Sequence, residues 1–118
     1  MSRALQRNYG CRIVEFTIEG MQALTLENRS IRVSILVEKG ADIYEFLYKP
    51  RDVDPLWRSP TGIVHPARGV ASIPSREGAF MDSYEGGWQE LFPTLGPPAV
   101  HHGAELGTHG EVALLPWE

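Results

Sequence analysis

The sequence predicts an all-β protein made of antiparallel strands. Apolar and polar residues alternate with a period of two through most of the first 50 residues, which is typical of half-buried strands. Turn-forming residues interrupt this alternation at short intervals, and no segment there shows sustained helical periodicity. A length of 118 residues is enough for one domain but not for two, so we expect residues 1–118 to belong to a single domain without an internal boundary.

Four strands are predicted in the first 50 residues. They cover residues 11–18, 21–27, 31–37 and 41–49. The third is the most regular, with Ile31, Val33 and Ile35 alternating with their neighbours. Turns are expected at Glu19-Gly20 and Lys39-Gly40, where glycine permits a sharp change of direction. A meander of short strands with tight turns predicts a β-sandwich or a barrel.

Composition narrows the classes of partner and location. The hydrophobic fraction of 42% is ordinary for a soluble globular protein. The net charge of −4 argues against nucleic acid or an anionic membrane as the main partner. The single Cys11 cannot form an intramolecular disulfide. The N-terminus lacks the apolar segment of a signal peptide, and no apolar run approaches the roughly 20 residues of a membrane span. We therefore expect a soluble, cytoplasmic protein.

The character of the sequence changes after Pro50. Residues 52–57 are predicted to return as an extended segment and a brief strand. Residues 59–83 are rich in proline and glycine without a clear period, and such long loops usually carry function or cover another element. His65 and Arg68 fall in this loop, where charged side chains are more often solvated than functional.

Candidate functional residues concentrate in the last third of the chain. Gly86-Gly87 allows the backbone to approach a ligand or turn sharply before Trp88. The rings of Trp88 and Phe92 could stack on the apolar face of a sugar, or they could simply fill the core. His101 and His102 could equally be surface residues of a glycine-rich loop.

His109 is the strongest candidate for a chemical role. It stands where a loop enters a predicted strand over residues 111–115, so His109 and Glu111 would face the same side. A histidine beside a carboxylate could act as a general acid, as a hydrogen-bond donor or as a metal ligand.

The ordered set of segments resembles the aldose 1-epimerase (galactose mutarotase)-like family. The matching features are the meander over residues 26–43 with its Gly-Ala turn, Pro55-Leu56-Trp57, the glycine-led segment 86–96, and His109-Gly110 followed by Pro116-Trp117. The resemblance covers essentially this whole chain, but only the N-terminal part of family members, which are roughly twice as long or longer.

The resemblance implies an antiparallel β-sandwich, the galactose mutarotase-like supersandwich, that binds a monosaccharide in a cleft. Members interconvert the α and β anomers of an aldose by acid and base catalysis of ring opening, without a metal or cofactor. His109 corresponds to the first active-site histidine, whereas Gln89 and Glu90 stand where many members carry an Asn-Arg pair. The resemblance and the residue types together give one catalytic residue, His109, and a set of substrate contacts: Trp88, Gln89, Glu90, Phe92, His102 and Glu111.

The principal acid histidine and the base glutamate of the family lie beyond the matched part. We therefore expect these 118 residues alone to be a fragment that is catalytically inactive. A cut sandwich would also expose apolar surface and leave sheet edges unpaired, and those edges could pair with another copy.

Two other functions fit the same residues. One is a non-catalytic sugar-recognition protein on the same fold, favoured by the mismatch at Gln89 and Glu90. The other is a metal-dependent β-barrel of the cupin type, with His102, Glu105 and His109 as ligands, since two imidazoles and a carboxylate suit a divalent transition metal. The spacing does not give the His-X-His pair on one strand that such barrels use.

Overall fold

The computed structural model describes residues 10–67 and 80–118. Their main element is a four-stranded antiparallel sheet with the order β1-β2-β3-β4. Its strands are β1 (Arg12–Ile18), β2 (Met21–Glu27), β3 (Ile31–Leu36) and β4 (Asp42–Tyr48). The prediction of an all-β chain with a meander of four strands is confirmed, with strand ends within a residue or so of those expected. Arg68 and the middle of the predicted loop lie outside the described residues.

The turns follow from the residues that occupy them. Glu19 and Gly20 both have positive φ angles, 49° and 78°, which is the two-residue hairpin turn whose twist matches that of the flanking strands. At the next turn the Asn28 side chain accepts hydrogen bonds from the backbone N–H groups of Ser30 and Ile31, both at 2.8 Å. These local preferences fix the register of the meander.

One face of the sheet carries the core. Met21, Ala23 and Leu36 are buried there, and Phe16, Ile18, Tyr44 and Ile63 pack against them. Burying a side chain such as Met21 or Leu36 stabilises the fold by about 1.5–3 kcal/mol. Toward Glu27 the same face becomes polar, because Glu27 pairs with Arg12 at 2.7 Å and with Lys49 at 2.8 Å.

The opposite face is apolar and largely open. Ile13 is 68% exposed, and its register partner Leu26 is also exposed. Both line a shallow groove of about 720 Å³ that extends to Ile31 and Val33. Within the described ranges the meander is an open sheet, in which β1 and β4 are not paired with each other.

The outer edge of β4 is covered by later parts of the chain. Tyr48 forms a bridge to Val53, so the extended return after Pro50 is present as a single bridge and not as a strand. Ile43 forms a bridge to Trp88 on the same edge. A short hairpin, β5 (Ala99–His101) and β6 (Ala104–Leu106), follows further along the chain.

The strand predicted over residues 111–115 is wrong. Val112–Leu114 forms a 3₁₀ helix, in which the Leu114 N–H bonds the Glu111 carbonyl at 3.1 Å. His109 and Gly110 precede it with φ angles of 62° and 77°, a left-handed conformation that an extended strand cannot continue through. The described residues contain two other short helical pieces: a 3₁₀ helix at Lys49–Arg51 and a helical turn at residues 80–82.

Candidate functional site

The segment from Glu85 to Trp88 lies along the edge of β4. Trp88 and Ile43 exchange two backbone hydrogen bonds, of 2.8 and 2.9 Å. Gly87 has a φ of 76°, and a Cβ atom there would collide with the Ile43 carbonyl oxygen. Gly87 therefore permits a close backbone approach, and the group approached is the backbone of β4, whereas the sequence predicts an approach to a ligand or a sharp turn.

A cluster of three buried charged residues, the Lys39–Asp42–Glu85 cluster, lies beneath this segment. The Lys39 ammonium donates to Asp42 Oδ2 at 3.0 Å and also pairs with Glu85 Oε2. The side chains of Lys39, Asp42 and Glu85 are 3%, 0% and 3% exposed. One lysine and two carboxylates leave one excess negative charge inside the protein.

Burial has the largest effect on the ionisation of this cluster. It raises the pKa of Asp42 to about 6 from 3.8, because loss of water disfavours the carboxylate. The positive charge and hydrogen bond of Lys39 oppose that rise, and the Gln89 amide opposes it to a lesser extent. Burial likewise lowers the pKa of Lys39. Inspection of the sequence missed this cluster, although a lysine three residues before an aspartate at the Gly40-Ala41 turn is a visible signal.

The structure places Gln89 above the Lys39–Asp42–Glu85 cluster. Its amide Nε2 donates to the Gly86 carbonyl, and its side chain is close enough to Asp42 to lower that carboxyl's pKa. The neighbouring Glu90 is exposed. Gln89 and Glu90, which stand where many family members carry an Asn-Arg pair, thus have different surroundings.

A row of aromatic rings leads to His109. Trp57 stacks on Tyr84 with centroids 5.8 Å apart, and Tyr84 stacks on Phe80 at 5.4 Å. The Phe80 ring then meets the His109 imidazole edge-on at 4.7 Å. Ring pairs of this geometry are stabilising beyond the area that they bury, so the row holds the imidazole in one place. The sequence reasoning did not include Phe80 or Tyr84, because no local pattern marks them as neighbours of a histidine about 25 residues away.

The imidazole of His109 is oriented by the loop that precedes it. His109 Nδ1 lies 2.8 Å from the Leu95 carbonyl oxygen, and the His109 backbone N–H donates to the Gly96 carbonyl at 2.9 Å. Because a carbonyl only accepts, Nδ1 carries the proton. In the neutral ring, Nε2 is then left with a lone pair, and this nitrogen can accept a proton from a ligand or return it.

The Phe92 backbone anchors the next part of the site. Its carbonyl accepts from the N–H groups of Glu111 and Val112 at 3.1 and 3.3 Å. Gly110 passes so close to Phe92 that any side chain there would overlap the Phe92 carbonyl. This contact ties the loop of Phe92 to the loop of His109.

The rings of Trp88 and Phe92 face solvent. They are 52% and 66% exposed, so the alternative in which these two residues fill the core does not hold. Exposed aromatic faces are available to stack on a ligand. The Phe92 backbone pairs with Gly110, next to His109, whereas Trp88 pairs with Ile43 at the edge of β4.

Glu111 occupies a different setting from the one that the sequence predicts, and His102 lies in the turn of the hairpin. The expectation that Glu111 and His109 face the same side depended on a strand and fails with it. Glu111 Oε1 instead accepts from the Gly107 N–H at 2.9 Å, across the turn that contains His109. His102 occupies the tip of the β5–β6 hairpin with a φ of 48°, and its ring lies 4.1 Å from that of His101.

The described donors do not assemble a metal site. In residues 10–67 and 80–118, no group of three or more histidine, cysteine, aspartate or glutamate side chains is arranged to hold a metal ion. His102, Glu105 and His109 therefore do not converge as the cupin alternative requires.

Comparisons with known proteins add no assignment: no family model, no curated protein and no solved structure matches this chain. In the part of the chain that the structure describes, no helix has the length and apolar character needed to cross a bilayer.

Proposed function

We propose that this chain is a carbohydrate-binding protein related to the aldose 1-epimerases. The observation that carries the proposal is the oriented His109 imidazole at the end of an aromatic row, together with the exposed rings of Trp88 and Phe92, of which Phe92 has its backbone paired with Gly110. An exposed ring can stack on the C–H face of a sugar, and an imidazole with an available Nε2 can bond a sugar hydroxyl.

The proposed fold is the antiparallel β-sandwich implied by the family resemblance. The open apolar face around Ile13 and Leu26 supports it, since a sheet with an exposed apolar face is stabilised by packing a second sheet against it.

In this proposal a longer form of the protein interconverts the α and β anomers of a monosaccharide. A base removes the proton of the anomeric hydroxyl, the bond from the anomeric carbon to the ring oxygen breaks, and an acid protonates that oxygen. The open-chain aldehyde rotates and the same steps in reverse close the ring on its other face. His109 contributes by binding and polarising a substrate oxygen, and the resemblance assigns the carboxylate base to a part of the family that these 118 residues do not match.

Monosaccharide binding is tested by NMR on the ¹⁵N-labelled chain. We expect glucose or galactose to shift the indole N–H signal of Trp88 and the amide of Gly110 in a saturable way. Trp88→Ala and His109→Ala should weaken this binding, whereas Val100→Ala, an exposed apolar residue on the hairpin, should not. The absence of saturable shifts with every aldose tried would rule out the proposed function.

Catalysis is tested separately by polarimetry. We expect this chain alone to leave the rate of glucose mutarotation at the buffer value, since the nearby Glu111 carboxylate is engaged with the Gly107 N–H and does not replace the missing base. Rapid mutarotation by these 118 residues would refute that expectation.

A non-catalytic sugar-recognition protein is the second candidate. The orientation of Gln89 toward the Lys39–Asp42–Glu85 cluster favours it, because this residue then stabilises the loop and does not supply the family's substrate pair. A longer chain that binds sugar without accelerating mutarotation would favour this candidate over the enzyme.

A further inference from the structure

A second cavity lies over the buried face of the sheet, next to the loop that follows Trp57. Its volume is about 300 Å³, at the lower end of the range for small-molecule sites. Its lining residues are Ile18, Glu19, Tyr44, Arg58, Ser59, Gly62, Ile63 and Glu85. Three of them, Ile18, Tyr44 and Ile63, also pack against the core cluster, so the apolar wall is held by the fold.

The charged wall of the cavity belongs to the Lys39–Asp42–Glu85 cluster. Glu85 is 3% exposed, and its Oε2 pairs with Lys39. Its other oxygen, Oε1, is shielded from bulk water and has no hydrogen-bond partner among the described residues. Because Lys39 also pairs with Asp42, the excess negative charge of the cluster is not neutralised. A charge buried in this way is only weakly screened by salt and acts across the cavity wall.

The other charged groups of the lining do not cancel this field. Arg58 is the one cation among the residues that line the cavity. Its guanidinium Nη2 is committed to Asp54 Oδ2 at 2.6 Å and to the Tyr44 carbonyl at 3.2 Å. Glu19 adds an exposed carboxylate at the rim. The cavity therefore combines apolar walls with a negative potential.

We propose that this cavity binds a small primary ammonium ion that carries a short apolar chain. The ammonium is attracted by the carboxylates of Glu85 and Glu19, and the chain packs on Ile18 and Ile63. This inference stands on the cavity and its charges alone, and it holds or fails independently of the proposed sugar site.

The test compares butylammonium chloride with 1-butanol, which has nearly the same size and no charge, in an NMR titration of the ¹⁵N-labelled chain. We expect butylammonium to shift the amides of Ile18, Tyr44 and Ile63 in a saturable way. Its affinity should exceed that of 1-butanol by on the order of tenfold, the effect expected of one poorly screened charge.

Three variants test which carboxylate attracts the butylammonium ion. Glu85→Gln should lower the affinity for butylammonium by about tenfold, and Glu19→Gln by roughly twofold to fivefold because a rim charge is better screened. Glu15→Gln is the matched control: Glu15 is an exposed glutamate of β1 that does not line the cavity, and its loss should leave the affinity unchanged.

Several results would overturn the proposal. They are equal affinity for 1-butanol and butylammonium, an absence of saturable shifts, shifts confined to the opposite sheet face around Ile13, or equal effects of Glu19→Gln and Glu15→Gln. Since Glu19 is exposed, the last comparison remains decisive even if Glu85→Gln fails to fold.

Discussion

Replacing Asp42 with asparagine should stabilise the protein at neutral pH. Asp42 shares the ammonium of Lys39 with Glu85, and all three side chains are buried. The substitution would remove the excess negative charge and leave one lysine facing one carboxylate. The side-chain oxygen of the asparagine can still accept from Lys39, whose ammonium lies 3.0 Å from Asp42 Oδ2 in the wild type.

The size of the effect follows from the pKa of Asp42. Folding raises this pKa from 3.8 to about 6, so the folded state holds its proton over a pH range in which the unfolded state has lost it. Below pH 3.8 both states are protonated and stability is unaffected. As the pH rises from 3.8 through 6, ionisation costs the folded state about 3 kcal/mol, and this cost remains at higher pH. Asparagine does not ionise and avoids it.

The assay is urea denaturation followed by circular dichroism at pH 4, 5, 6 and 7. The free energy of unfolding of Asp42→Asn should exceed that of the wild type by up to about 3 kcal/mol at pH 7, and the difference should shrink toward zero near pH 4. Carboxylates remote from the Lys39–Asp42–Glu85 cluster titrate alike in both proteins and cancel in this difference. A variant that is less stable than the wild type by the same amount at every pH would refute the reasoning, because the Asp42 charge would then be a net favourable partner of Lys39.

Lys39→Met changes the same cluster in the opposite way, by removing its cation. It leaves two buried carboxylates without a cation and should cost about 3–5 kcal/mol at pH 7. Adding Asp42→Asn to it should recover part of the loss, since only one carboxylate then remains. If the double variant is no more stable than Lys39→Met alone, the charges of Asp42 and Glu85 are not coupled.

Two further changes test the framework of the site, and a third tests the polar end of the sheet. Gly87→Ala should destabilise the chain by more than about 1 kcal/mol, because a methyl group there overlaps the Ile43 carbonyl; a melting temperature equal to that of the wild type would contradict the close approach. Phe80→Ala should cost about 3–5 kcal/mol and shift the His109 ring signals in NMR spectra, whereas unchanged ring signals would remove Phe80 from the aromatic row. The pKa of Glu27 is lowered mainly by its hydrogen bond to Lys49, so its contribution to stability is present above pH 4.5 and is lost as the pH falls below that value. Glu27→Gln should remove that part of the acid dependence, and an unchanged acid profile would show that the pairing contributes nothing.

The meander could be predicted from the sequence because each strand and turn is specified locally. Alternation in β3 and the Glu19-Gly20 turn depend on neighbours in the chain, and the structure has them where expected. The conformation after His109 could not be predicted in this way. Residues 111–115 have strand-forming composition, but the left-handed angles at His109 and Gly110 and the contact with Phe92 turn the chain into a 3₁₀ helix. That contact joins segments that are distant in the chain, and no local pattern contains it.

In the candidate site, too, some features follow from local sequence and others from contacts between distant segments. Trp88, Phe92 and His109 stand out by residue type, whereas Phe80 orients the histidine through a contact that depends on the fold. Gln89 stands out by its position in a motif that resembles the family's, yet its environment is set by Asp42, which lies at the start of β4. Residue chemistry can be predicted from the sequence, but the partner of each side chain depends on long-range pairing.

The Lys39–Asp42–Glu85 cluster joins the most regular part of the fold to the candidate site. Lys39 lies in the turn between β3 and β4, Asp42 begins β4, and Glu85 begins the segment that presents Trp88. Apolar packing in its place would not be directional. The charge-assisted hydrogen bonds of an ion pair are directional, so they specify which atoms are in contact. A buried ionic cluster is a weak source of stability, as the raised pKa of Asp42 shows. We therefore expect the cluster to help the Trp88–Ile43 backbone hydrogen bonds position the Trp88 segment against β4. A variant with a neutral, well-packed cluster should gain stability while the NMR signal of its Trp88 ring broadens, and an unchanged ring signal would contradict a positioning role.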